Sequence, residues 1–427
     1  MVNAIYNLVD AYFVGGLGTS QMGAISVVYP LGQVVVGLGL LFGNGAASYL
    51  SRLLGKGDKE KANQVASTAL YSSITVGVIM IIFSMIFLHP ILKLLGATDS
   101  IMPYAVTYAS IYIVSCIFNV FNVTMNNIVT SEGAAKTTML ALMAGAILNI
   151  GLDPVFIYVL DMGVAGAAIA TAISQIISTL VYLTFVLRKK SIYNFRIKNC
   201  TFTKEIISEI FKIGIPTLVF QILTSLSISL VNTQARPYGD SVIAGMGAVT
   251  RVVSMGSLMV FGFIKGFQPI AGYSYGAKKF DRLHEAIKTS IIWSTAFCVI
   301  YGLVLTIFSK GIISQFTKGD LEMIRVGTQS LRINGISFML FGFYTVYSSL
   351  FLALGKGLAG FILGSCRQGI CFVPVILILP AFWGINGILY VQPIADLLSA
   401  IITIFMALHL HKELTLTKQK FLSEKTE

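Results

Sequence analysis

Apolar runs long enough to cross a bilayer recur along almost the whole chain, and no other feature narrows its possible folds so far. A spanning helix needs about 20 apolar residues, and stretches such as 64–88, 103–128 and 287–309 supply them. Inside hydrocarbon every backbone N–H and C=O must be satisfied by the protein itself, which leaves helices or a closed barrel. A barrel would show segments of about ten residues with alternating polarity, and the sequence shows no such pattern. Hydrophobic residues make up 56% of the chain and charged residues 11%, with a mean hydropathy of +0.82. That composition excludes an ordinary soluble enzyme. The sequence predicts an all-α polytopic membrane protein with the lipid bilayer as its first partner.

Twelve transmembrane helices are expected, at 1–15, 23–50, 64–88, 103–128, 138–160, 164–187, 213–235, 242–272, 287–309, 327–352, 361–383 and 385–409. Basic residues gather in the connections after the even-numbered helices: Arg52, Lys56, Lys59 and Lys61, then Arg188 to Lys212, then Lys278 to Lys288, then Lys356 with Arg367 close by, and finally the C-terminal tail. By the positive-inside rule both termini face the cytoplasm. The +12 net charge is thus a topology signal, and no nucleic-acid partner is implied.

The chain reads twice at a constant offset of 221 residues. Gly18 pairs with Gly239, Gly55 with Gly276, and Gly163 and Gly166 with Gly384 and Gly387. Six helices per half is an even number, so the halves point the same way, as in parallel repeats related by an axis along the membrane normal. The expected architecture is two pseudo-symmetric six-helix lobes: an N-terminal lobe at 1–190, a cytoplasmic linker at 191–212, a C-terminal lobe at 213–410 and a cytoplasmic tail at 411–427. A cleft between lobes and alternating access follow from such a design. The offset also places the counterpart of Gly214-Ile215-Pro216 before Met1, so the first helix reads as truncated.

Two aspartates stand out. Asp10 lies in N7-L-V-D-A-Y-F-V-G15 and Asp153 in the apolar run 147–158. A carboxylate within a spanning segment is costly and usually serves ions or protons. Asn149 and Asp153 are four apart, so they share a helical face. Pro154 removes a backbone donor, so the carbonyl of Ile150 is left without its helical partner. A third intramembrane acid, Asp396, falls in V391-Q-P-I-A-D396 and pairs by the repeat with Gln175. It is expected either to bind substrate cations or to pair with Lys265, Arg251 or Arg332. Gln175 and Gln221 join it as candidates for the substrate cleft. Met139, Met143, Met246, Met255 and Met259 suit an adaptable apolar pocket. The five cysteines are scattered, with neither metal nor disulfide spacing. No H-E-x-x-H, phosphate loop or nucleophile elbow is present, so the chain is not expected to be an enzyme and no cofactor is expected.

These motifs resemble those of the multidrug and toxin extrusion (MATE) transporters. Y6-N-L-V-D-A-Y-F-V-G15 is similar to that family's first-helix signature, and L53-L-G-K-G-D-K-E-K-A62 to its loop between the second and third helices. Asn149-Ile-Gly-Leu-Asp-Pro154 followed by G163-V-A-G-A-A-I-A-T-A-I-S-Q175 resembles its fifth and sixth helices. The resemblance covers nearly the whole chain and is closest to the family's small bacterial multidrug-export branch. It implies an antiporter that exports amphipathic, often cationic, organic compounds against entry of H⁺ or Na⁺. It also implies a coupling cluster of Asp10, Asn149, Asp153 and Thr171, which would ligate Na⁺ as its metal if Na⁺ is the coupling ion. The tenth helix carries no carboxylate (Leu340 and Phe341 stand there), so a C-lobe sodium site is not implied.

Burial disfavours a charged carboxylate and a second one nearby repels it, which makes a proton the favoured occupant. The expected function is therefore secondary multidrug efflux by a monomer in the cell membrane. A lipid-linked precursor flippase of the same superfamily is the nearest alternative and would need a strongly cationic cavity. An intramembrane enzyme or a channel are alternatives of other classes.

Overall fold

A computed structural model describes residues 19–95, 97, 99, 101–315 and 321–426. The chain separates into two compact units, Met1–Leu218 and Val219–Glu427. The described elements are helices and turns, without strands.

The first unit contains α1 (Thr19–Lys56), α2 (Lys59–Ile86), the short α3 (Leu88–Leu94), α4 (Met102–Ser131), α5 (Ala135–Pro154), a π-turn at Val155–Val159 and α6 (Gly163–Leu187). Asp58 caps α2 by accepting from the Lys61 N–H at 3.1 Å. Helix α1 lies along α4, where Gly39 and Gly43 meet Val123 and Thr124, because small residues let membrane helices approach closely. Ala24, Val28, Ile113, Ala167 and Ala168 fill one end of the core, and Leu50, Ala66, Ile128 and Ile206 the other.

Residues 188–203 are irregular apart from a 3₁₀ turn at Ile197–Asn199, and they are fastened to the first unit. Glu132 Oε2 accepts from Ser191 Oγ at 2.9 Å and from the Ile192 N–H at 2.8 Å. Asn63 Oδ1 accepts from the Asn194 N–H at 2.8 Å, and Thr68 Oγ1 both donates to the Thr201 carbonyl and accepts from its N–H. Burial pushes the Glu132 carboxyl above its ordinary value, against the hydrogen bonds that favour its charge. Helix α7 (Lys204–Ala235) then begins inside the segment read from sequence as linker. Its first turns are amphipathic: Ile206 and Ile210 are buried, while Glu205 and Glu209 pair with Lys61 and Arg52, both at 2.6 Å.

The second unit contains the rest of α7, then α8 (Asp240–Gly276), α9 (Phe280–Ile307), the short α10 (Ser309–Ser314), α11 (Leu321–Phe338), α12 (Phe341–Ala353), α13 (Gly357–Ser365), a π-turn at Cys366–Ile370 and α14 (Phe372–Thr426). The expected span 327–352 is broken: α11 and α12 meet at 52°. Phe338 and Phe341 stack across the break with centroids 5.0 Å apart. Helix α14 kinks at Gly384. Length and hydropathy give up to ten spans among the described residues. Dividing α14 at its kink makes eleven, and the expected helix at 1–15 lies outside the described residues.

The backbone explains the repeat. Gly163 has φ +54° and Gly384 φ +55°, a left-handed turn for which glycine is the default residue. Three residues on, a Cβ at Gly166 would lie 2.6 Å from the Phe156 carbonyl oxygen, and one at Gly387 would lie 2.5 Å from that of Leu379. Each half thus uses a first glycine to turn the chain and a second to pack the last long helix on the end of the one before. Gly57 (φ +81°) and Lys278 (φ +54°) are likewise 221 apart, so the loop after α1 and the loop after α8 also turn alike.

Candidate functional site

Helix α5 stays regular through Asp153 and ends at Pro154. Proline supplies no N–H to continue the ladder, and a π-turn follows, closed by Leu160 N–H donating to the Val155 carbonyl at 2.9 Å. Such turns often accompany functional positions. The result is a carboxylate held in the last helical turn just before the backbone is re-aimed.

Asp153 is 0% exposed, Asn149 2% and Thr171 9%. The Asn149 amide donates to Asp153 Oδ1 at 3.2 Å and to Thr171 Oγ1, on α6, at 3.5 Å. The i,i+4 spacing therefore does what the sequence implied, and the α5–α6 contact allowed by Gly166 brings in the hydroxyl. Asn149 Oδ1 is buried with no hydrogen-bond partner among the described residues. A carboxylate, an amide oxygen and a hydroxyl oxygen are hard donors suited to a proton or to Na⁺. Among the described residues no three His, Cys, Asp or Glu converge as a metal site. Asp10, the fourth member of the expected cluster, lies outside the described residues.

Gln175 belongs to a separate closed network on the same unit. Asn122 Nδ2 donates to Gln175 Oε1 at 2.8 Å and to its carbonyl at 2.9 Å, and Thr179 Oγ1 donates to Asn122 Oδ1 at 2.9 Å. Gln221 is half-buried on α7, in the second unit.

Asp396 is 1% exposed and is an ion-pair member, but not with any of the three partners expected. Arg251, Lys265 and Arg332 are exposed, and Arg332 Nε donates to Ser309 Oγ. The partner is Arg367, whose Nε donates to Asp396 Oδ1 at 2.9 Å. Gln392 Nε2 reaches the same oxygen at 2.9 Å, Tyr344 O–H at 3.4 Å, and Ser337 O–H donates to Oδ2 at 3.0 Å. Sequence reasoning had grouped Arg367 with the loop cations. Its place inside the apolar run 361–380 was the available signal, since a basic residue within a span needs an acidic partner. Of the expected pocket methionines, Met139, Met143 and Met255 are exposed and Met246 is buried. A cavity of about 580 Å³ in the second unit is lined by Gln329, Trp383, Asn386, Tyr390 and Ile394, none of them a predicted site residue.

The MatE family profile matches residues 1–155 and 216–378. The chain is 31% identical over 426 residues to the multidrug export protein MepA of Staphylococcus saprophyticus, covering 99% of this chain and 93% of that one. It is 31% identical over 417 residues to MepA of Staphylococcus aureus, covering 97% and 92%. Among solved structures it is similar to MATE in complex with MaL6, with a TM-score of 0.92 and 25% identity over 97% of this chain and 93% of that one. It is also similar to an outward-facing multidrug resistance MATE family transporter of the MOP superfamily, with a TM-score of 0.91, 25% identity and the same coverage. Sequence motifs, glycine-set backbone and global fold agree, and the chain belongs to the MatE family of multidrug and toxin extrusion transporters.

Proposed function

We propose that this protein is a secondary multidrug exporter that expels amphipathic, often cationic, organic compounds in exchange for an inward-moving H⁺ or Na⁺, with Asp153 as the coupling carboxylate. The observation that carries this reading is a fully buried Asp153 that accepts from the Asn149 amide, itself in reach of Thr171, at the end of a largely apolar helix. The names of the relatives, multidrug export proteins, supply the substrate class. A carboxylate in such surroundings favours one neutralising partner at a time, which is the requirement for exchange. Asp10 is the second acid of the proposed cluster. Energy comes from the ion gradient, with no cofactor and no covalent chemistry. The protein works as a monomer in the cell membrane with both termini in the cytoplasm, as the basic loops support.

Right-side-out vesicles loaded with ethidium and given an imposed pH or Na⁺ gradient test the reading. Efflux should follow one of the two gradients, and Asp153→Asn should abolish that dependence while the protein still accumulates in the membrane. Gradient-independent ethidium movement, or full drug resistance in the Asp153→Asn strain, would refute it.

A further inference from the structure

Among the described residues the buried acidic side chains are Asp153 and Asp396, one in each unit, and the buried basic side chain is Arg367. The two acids share one neighbour related by the repeat. The offset of 221 carries Thr171 onto Gln392 and Gln175 onto Asp396. Thr171 touches the Asn149–Asp153 pair, and Gln392 touches Asp396. Each half also has a π-turn in its penultimate spanning segment: Val155–Val159, directly after Asp153 and Pro154, and Cys366–Ile370, which carries Arg367. By the same offset Asp153 falls on Pro374, so the two acids are not repeat mates: one lies on α5 and the other on α14, each in its own polar pocket. In the second half that pocket already holds a cation. The Arg367 guanidinium lies between the Asp396 carboxylate, 2.9 Å from Nε, and the face of Phe341, 4.5 Å from Cζ to the ring centroid. A carboxylate facing an aromatic ring suits a planar, weakly hydrated cation, which is attracted by both.

We propose that the C-terminal half contains a monovalent-cation site whose resident cation is the chain's own Arg367 side chain, so that the half is charge-silent and coupling is left to the N-terminal half. Arg367 acts here as a positioning residue. It keeps Asp396 occupied, and its removal opens a site for a free guanidinium-like cation. This deepens the proposed function, and only its transport consequence depends on that reading.

The test is chemical rescue of Arg367→Ala, with purified protein followed by thermal unfolding and vesicles followed by ethidium efflux. Removing one partner of a buried pair strands the other charge, so efflux should fall by at least about tenfold. Guanidinium chloride at about 1–20 mM should raise the unfolding midpoint of Arg367→Ala by roughly 1–2 °C per tenfold increase in concentration, and should recover part of the efflux. Urea, of the same shape but neutral, should do neither. Arg367→Lys keeps a resident cation and should not respond to guanidinium, and adding Asp396→Asn to Arg367→Ala should abolish the response. If the alanine variant does not accumulate, Arg367→Gln is longer, neutral and carries the same arms. Equal effects of urea and guanidinium, no guanidinium shift, or a shift that survives Asp396→Asn would each overturn the proposal. If wild-type ethidium transport fails while the guanidinium shift stands, the function reading falls and the site remains.

Discussion

Gly166→Ala and Gly151→Ala are the same chemical change on either side of Asp153, and the structure requires them to have opposite effects. At Gly166 a methyl group would sit 2.6 Å from the Phe156 carbonyl oxygen, 2.7 Å from its carbon and 3.1 Å from the Ile157 nitrogen. Those are backbone atoms of the π-turn, so no side-chain rotation relieves the clash. Relief needs α6 to move away by several tenths of an ångström, and overpacking of this kind costs about 1–3 kcal/mol. The intrinsic gain from replacing helical glycine, about 0.5–1 kcal/mol, offsets part of it and leaves a net loss. Gly151 has nothing within 4 Å of the added group and is exposed within α5, so alanine there should stabilise by about 0.5–1 kcal/mol. The measurement is equilibrium unfolding of the bilayer-mimetic-solubilised protein in a titration with a denaturing detergent, together with ethidium efflux. Gly166→Ala should unfold earlier than wild type and transport less, because the π-turn that follows Asp153 is displaced relative to Thr171. Gly151→Ala should unfold later. A shift of the same sign in both variants would refute the claim that the α6 approach to the π-turn is sterically set.

Asn122→Ala should destabilise the protein by about 1–3 kcal/mol, because Gln175 Oε1 loses its donor and Thr179 Oγ1 keeps only the Gln175 carbonyl as acceptor; the same unfolding titration checks it, and an unchanged midpoint would show that the network is dispensable. The docked Glu132 carboxyl binds its proton more tightly than a free one, so linker docking is favoured at low pH and weakens as pH rises from the ordinary value of 4.5 through the raised one. Amide exchange at Ile192, whose N–H bonds Glu132, should quicken over that window beyond the intrinsic pH trend, and Glu132→Gln should remove the excess.

Much of this architecture was legible because it rests on local rules. Apolar run lengths found the spans, since hydrocarbon tolerates little else. The Asn149–Asp153 pair followed from i,i+4 spacing, and the glycine pairs of the repeat mark places where a Cβ is either strained or excluded. What escaped depends on tertiary packing. The break between Phe338 and Phe341 leaves no mark in hydropathy, for both sides are apolar, and the equivalent helix α4 runs unbroken from Met102 to Ser131. The π-turns were not foreseen either; Pro154 announced an interruption but not its form. The partner of Asp396 was missed because the rotation of α13 and its π-turn decides which side chain reaches it. The early start of α7 was readable in hindsight: Ile206, Ile210 and Ile213 recur at helical spacing beside Glu205 and Glu209, and all three isoleucines are buried.

The two halves therefore record different constraints on the same duplication. Backbone features persist in matching places, because a left-handed φ at Gly163 or Gly384 and a bare Cα at Gly166 or Gly387 admit few replacements. Buried acids do not match in this way: the offset carries Asp153 onto Pro374 and Gln175 onto Asp396. In the second half the cation beside Asp396 is covalently part of the protein, through Arg367 on its π-turn. In the first half Asp153 accepts from the Asn149 amide, which in turn reaches the Thr171 hydroxyl. On the proposed reading, with Asp396 held by Arg367, the carboxylate assigned to coupling is Asp153.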